Sequence, residues 1–250
     1  MYTIVTHNNY HLGDNTIHLS YLRRVAQQNP DTHFRHGAHK PYLKQLELMV
    51  EDVGNIELFD AGKAPPGSID VWKNRNGGFY GHPKRNDWIG FHLEFFDKLS
   101  KDIGVNNPIK SPNDLLMDCP AINRAVPHSF DFLVINSPPQ SGQISVQDFD
   151  PLIGKLIDCR YRIVTTAGSG YDVPCTMPLP VTAIGAISLR CRFILGNATG
   201  PVWPTFNVWN RHSVELRLLL LEPERIYFPN VEHVSSIAEA LESLEDRGLI

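Results

Sequence analysis

The sequence is short of cysteine, of net charge and of long apolar runs, and each shortage removes a class of protein. Its four cysteines, Cys119, Cys159, Cys175 and Cys191, lie far apart and form no CxxC pair. That spacing argues against a disulfide scaffold and reads as reduced, mostly buried thiols, so a cytoplasmic location is expected. The formal net charge is −4 over 250 residues. Nucleic-acid surfaces show clustered Lys and Arg, so no nucleic-acid partner is expected. The longest apolar stretches, such as Val181–Leu189, fall far below the ~20 residues that span a bilayer. The start, MYTIVTHNN, lacks the basic-then-apolar layout of a secretory leader.

Several catalytic signatures are missing as well. The pairs Gly62-Lys63 and Gly154-Lys155 are followed by Ala64 and Leu156, so neither forms a P-loop. No GxGxxG follows the first strand, and Gly168-Ser169-Gly170 lacks the third glycine. A dinucleotide dehydrogenase is thereby disfavoured. The GxSxG elbow of the α/β-hydrolases is absent too. Eleven histidines suggest a metal, and His33, His36 and His39 are evenly spaced. His33 and His36 fall on a predicted strand, where residues three apart face opposite sides, and no Cys/His pair or carboxylate cluster accompanies the three. Neither a metal nor a cofactor is expected.

What is present is alternation. Tyr2–Thr6, Thr32–His36 and Asn55–Phe59 read as strands, with helices over Thr16–Gln28 and Pro41–Val50 between them. A loop-like stretch, Ala61–Asp87, precedes a helical stripe over Trp88–Val105. Residues Asn106–His128 carry four prolines without a period, and the boundary between two domains, 1–127 and 128–250, is placed there. The pattern then restarts, with strands Phe130–Ile135, Arg162–Thr166, Cys191–Leu195 and a weak Ile226–Phe228. Helices are expected at Val146–Asp158, Val181–Leu189 and Ser235–Arg247. The expected fold is α/β, with two consecutive parallel-sheet units.

In such sheets, ligands gather beyond the carboxyl ends of the strands, where helix N-termini offer free N–H groups. Three polar loops fall there: Asn8–Asn15, Thr165–Gly170 and Gly196–Thr205. In the first, Gly13 permits close backbone approach and Asp14 or Asn15 falls at the helix N-cap. Asp14 reads either as that cap alone or as a general base taking a proton from a hydroxyl. In the third, Thr199 and Gly200 either hold a diphosphate or form a turn closed by Pro201. His7, His11 and His18 read as neighbours of this site.

These stretches resemble glycosyltransferase family 9, the bacterial heptosyltransferases. The resemblance rests on the order strand, HLGD (His11–Asp14), helix with Leu22-Arg23-Arg24, NPD (Asn29–Asp31), strand. It continues in FHLEFFDKLSKDIGV (Phe91–Val105) and in GNATGPVW (Gly196–Trp203), which is similar to the family's Asp-Thr-Gly-Pro-x-His loop. It implies a GT-B fold, two Rossmann-like domains facing a cleft, with the acceptor held by the first and a nucleotide-sugar donor by the second. It also implies inverting, metal-independent transfer to a glycan or lipid-linked acceptor, with peripheral membrane association through that acceptor. Asp14 takes the place of the base. The donor-binding candidates are Gly13, Thr166, Gly168, Ser169, Thr199, Gly200, Pro201 and Trp203. Where the family has Asp and His, this chain has Ala198 and Trp203. Arg160, Arg162 and Arg211 are candidates to face the diphosphate. The alternatives are a non-catalytic nucleotide- or glycan-binding homologue and a nucleotide-sugar epimerase or hydrolase.

Overall fold

The computed structural model describes residues 2–73, 87–124, 126–139, 146–220, 226, 228 and 230–250. Most of the expected 61–87 loop's second half and part of the loop after residue 135 lie outside these residues. In the first half, β1 (Tyr2–Asn8) leads through α1 (Leu12–Gln28) to β2 (Thr32–Ala38). The short α2 (Leu43–Leu46), β3 (Ile56–Asp60), β4 (Ile69–Asp70) and α3 (Trp88–Ile103) follow. The strands form a parallel sheet in the order β3-β2-β1-β4. The second half contains β5 (Phe130–Ile135), α4 (Asp150–Asp158), β6 (Ile163–Thr165), α5 (Val181–Ser188) and β7 (Cys191–Asn197), then β8 (Leu216–Leu220), β9 (Val231–Val234) and α6 (Ile237–Asp246). These strands form a second parallel sheet, in the order β6-β5-β7-β8-β9.

The elements follow from local chemistry. Helix α3 opens at Asp87, whose carboxylate accepts the Gly90 N–H, and closes at Gly104, which adopts φ 76°. Only glycine takes that left-handed conformation without steric cost. Helix α6 starts at Ser236, whose hydroxyl accepts the Glu239 N–H. Pro151 sits in the first turn of α4, where its missing N–H breaks no bond.

Several boundaries differ from expectation. The α1 N-cap is His11 rather than Asp14 or Asn15, and Asp14 is the third helical residue. The expected helix over 41–50 divides into two 3₁₀ turns around the four residues of α2, with the breaks at Tyr42 (φ −99°, ψ −10°) and Leu46 (φ −102°, ψ −20°), which depart from ideal helical values. Strands β4 and β8 are additional to those expected. The last strand lies at 231–234 rather than 226–228, paired with β8; residue 227 is outside the described residues.

Both sheets contribute to one continuous apolar cluster. Ile4, Tyr21 and Phe96 of the first half join Leu133, Ile194, Val202 and Phe228 of the second. A second cluster lies under α4 and α6 and belongs to the second half alone, with Phe132, Leu152, Phe193 and Leu244 fully enclosed. Among the described residues, no helix is long and apolar enough to cross a membrane.

Candidate active site

The strand order of each sheet reverses once, between β1 and β4 in the first and between β5 and β7 in the second. Crevices beyond the carboxyl ends of strands at such reversals are where open α/β sheets bind ligands. The first turn of α1, just after β1, carries Asp14, and the loops after β5 and β7 carry Asn136 and Thr199.

In the first half, the Asp14 carboxylate reaches back to accept the His11 backbone N–H at 3.3 Å. It keeps partial exposure, yet surrounding protein desolvates it and raises its pKa to about 7, against the lowering effect of the His11 N–H. A carboxyl group tuned to that value exchanges protons near neutral pH, as a general base must. Neighbouring side chains hold the loop without occupying it. Asn8 accepts the Tyr10 N–H at 3.1 Å and donates to His18 Nδ1 at 2.7 Å. Asn15 donates to the carbonyls of Tyr10 and His11, at 3.1 and 3.0 Å. Asn9 Oδ1 accepts from His39 Nδ1 at 2.7 Å, which ties this loop to the one after β2. Tyr10 and Tyr42 have raised phenol pKa values, chiefly from burial, with the Asp14 charge as a further cause in each. The histidines of this stretch separate. His11 is exposed, His7 bonds Ser68, and His18 turns into the core to stack on Phe95 at 4.9 Å.

In the second half, Asn136 stands at the exit of β5 and latches the loop after β6. Its Oδ1 accepts the N–H groups of Thr166 and Ala167 at 3.1 and 2.7 Å. Its Nδ2 donates to the carbonyls of Ala167 and Gly168 at 3.1 and 3.2 Å. Ser137 Oγ donates to Thr166 Oγ1 at 2.8 Å, and Asn197 Nδ2 donates to the Ser137 carbonyl at 3.2 Å. Thr166 is therefore buried and hydrogen-bonded, whereas Gly168 is open and Ser169 is half-buried. Gly196, with φ 137°, lies against the Ile135 backbone, where a side chain has no room. Thr199 then enters a 3₁₀ turn over Gly200–Thr205 with Pro201 in its first turn.

The two halves meet at two glycines. A methyl on Gly13 would lie 3.2 Å from Gly200 Cα and 3.3 Å from the Trp203 ring, and one on Gly200 would lie 2.9 Å from Gly13 N. Trp203 also meets His92 edge-on, at 5.5 Å between ring centroids. Gly13, Gly200 and Trp203 are thus brought together, with Asp14, Thr199 and Pro201 next to them in the chain, while Thr166, Gly168 and Ser169 belong to the neighbouring loop across β5. Arg160 and Arg162 precede β6, at the opposite end of the strand from the crevice, and Arg162 pairs with Asp131. Neither reaches the crevice. The cation that supports this segment is Arg217 of β8. It is buried and donates to the Thr205 carbonyl at 3.1 Å and to Asn210 Oδ1 at 3.3 Å, with its pKa lowered to about 10 by desolvation. Asn136, Asn197 and Arg217 were not candidates in the sequence. For the first two, the available signal is their position at the end of an apolar strand.

No family model and no curated protein matches the chain. Solved structures do. E. coli heptosyltransferase WaaC with ADP aligns at a TM-score of 0.62 and 11% identity, covering 98% of each chain. E. coli ADP-heptose lps heptosyltransferase II aligns at 0.57 and 12%, again over 98% of each. A glycosyl transferase family 9 structure from Veillonella parvula aligns at 0.55 and 11%, covering all of this chain and 90% of that one. With its two parallel α/β sheets, the chain has the two-domain, Rossmann-like GT-B fold of these heptosyltransferases.

Proposed function

We propose that the protein is a glycosyltransferase that moves a sugar from a nucleotide-diphosphate donor to a hydroxyl of a glycan or lipid-linked acceptor. The observation that carries this reading is Asp14, a desolvated carboxyl group at one switch point, in contact through Gly13 with the loop of the other. Residues 1–127 hold the acceptor and residues 128–250 the donor. The acceptor oxygen attacks the anomeric carbon as the bond from that carbon to the diphosphate oxygen breaks, inverting the centre. The acceptor proton passes to an Asp14 carboxylate oxygen, and the electron pair leaves with the diphosphate. Thr199 and the backbone N–H groups around Gly200 stabilise the leaving charge in a step that uses no metal. Gly168 and Ser169 border the donor on the β6 side. The structures with ADP and with ADP-heptose derivatives bear on the donor class, since they share the fold and hold such molecules. A cytoplasmic location with peripheral association through the acceptor completes the reading.

Asp14→Ala tests it. Thermal shifts with ADP, UDP and GDP should match those of the unaltered protein, while transfer falls by roughly 10²–10⁴-fold. Full turnover by the variant would remove Asp14 as the base. A second reading, a non-catalytic homologue, is favoured by Trp203, which fills the crevice where the family resemblance places a histidine. It requires that no nucleoside diphosphate shift the melting temperature of the unaltered protein.

A further inference from the structure

We propose that Trp203, with Gly200 beside it, is a positioning residue for Asp14: this segment of the donor half lies over the helix end that carries the carboxyl group and excludes water from it. The geometry is direct. Gly13 precedes Asp14 in the chain and is the second residue of α1. The Trp203 ring and the Gly200 backbone approach it so closely that a Cβ on Gly13 would sit 3.3 Å from the indole and 3.2 Å from Gly200 Cα. A tryptophan covers a large area and holds it with few rotatable bonds. Here its other side is fixed by His92 at 5.5 Å and Phe206 at 6.4 Å between centroids, so the indole bridges α1, α3 and the 3₁₀ turn.

The groups around Asp14 leave desolvation as the main influence on it. Its own loop brings Tyr10 and His11, and the segment after β2 brings Tyr42. The donor-half segment Gly200–Thr205 contains no titratable side chain. His92, behind the indole, is held neutral, its pKa lowered to about 4 by burial. The carboxyl pKa of about 7 has desolvation as its largest cause. With the donor-half segment displaced, water reaches the carboxylate and its pKa falls toward the ordinary range. The strength of the base is thereby tied to how the two halves are packed.

The inference deepens the proposed function and rests on it for the catalytic consequence, but the titration itself is read without turnover. Asp14 is followed by ¹³C NMR of its carboxyl carbon across pH in the full chain, with Asp14→Asn identifying the resonance. The unaltered protein should titrate near 7. Trp203→Ala should lower the midpoint by about one pH unit or more, and Trp203→Phe by less. Gly200→Ala, whose methyl would fall 2.9 Å from Gly13 N, should push the segment away and lower it too. The acidic limb of transfer against pH should move with the midpoint. A folded variant whose Asp14 midpoint stays at the original value overturns the proposal. If Trp203→Ala does not fold, Trp203→Phe and Gly200→Ala carry the same two outcomes. Full turnover by Asp14→Ala would instead overturn the base assignment and leave the titration result standing.

Discussion

The two sheets obey the same parallel rule with different side chains. In the second sheet, β5 and β8 read FDFLVI and LRLLL, and Phe132, Val134, Leu216, Leu218 and Leu220 join Leu152 of α4 and Leu244 of α6 in one apolar cluster. In the first, β1 and β2 bury Thr6, Asn8 and His36, and α1 and α3 add His18 and His92, all essentially inaccessible to water. His36 shares a 2.8 Å hydrogen bond with Thr6, while its Nε2 and those of His18 and His92 have no partner. The second half buries polar groups as well, Asn207, Asn210 and Arg217 among them, but Arg217 and Asn210 hydrogen-bond each other and the Thr205 carbonyl. The first half instead buries three imidazoles whose lowered pKa values keep them neutral. The half with the buried imidazoles is also the one that carries Asp14.

The largest expected effect sharpens the apolar side of this contrast. Phe132 is fully buried and stacks on Phe193 at 4.7 Å, so Phe132→Ala should cost roughly 3–5 kcal/mol in urea unfolding. Acidification should act on the other half. Burial lowers the pKa of His36 to about 3 and of His92 to about 4, and that of His18 well below its ordinary value. The unfolded chain, with histidines near 6.5, therefore binds more protons than the fold, and stability falls as pH drops below that value. His36 and His92 should each remove roughly 2 kcal/mol by pH 5, and His18 acts in the same direction. Asp14 acts in the opposite sense between its ordinary value and about 7, because the fold raises its pKa, and it offsets part of the loss. Hydrogen exchange should show β1, β2 and α3 losing protection at pH 5 while α4 and α6 retain theirs. Simultaneous loss in both halves would break the contrast and make the shared cluster the unit of stability. The smallest effect belongs to the surface. Arg192→Ala, which removes an exposed pair with Glu215, should change stability by less than about 1 kcal/mol.

Much of this architecture was legible in the sequence, because parallel strands buried on both faces need apolar residues and the helices between them need a 3.6-residue stripe. The strands at 2–8, 32–38, 130–135 and 191–197 and the helix at 88–103 all carry that signal. The missing pieces have physical causes. Strand β4 is two residues long and exists only because β1 pairs with it. Strand β8 is a continuous apolar run, which periodicity alone cannot assign. The α1 start was misplaced because Asp and Asn are strong N-caps, whereas here Asp14 reaches back from the third helical position to a histidine cap.

By itself, the sequence determined the alternation of elements, the polar stretches at the strand ends, and the place of Asp14 and Thr199 shortly after β1 and β7. Each of these is a matter of local spacing. Only the tertiary structure decided that Asn136 latches Thr166–Gly168, that Arg217 holds Thr205, and that Trp203 and Gly200 lie against Gly13. Those contacts join residues up to 190 positions apart in the 250-residue chain. Burial raises the Asp14 pKa to about 7, and burial is a property of the packed fold, which no local pattern encodes.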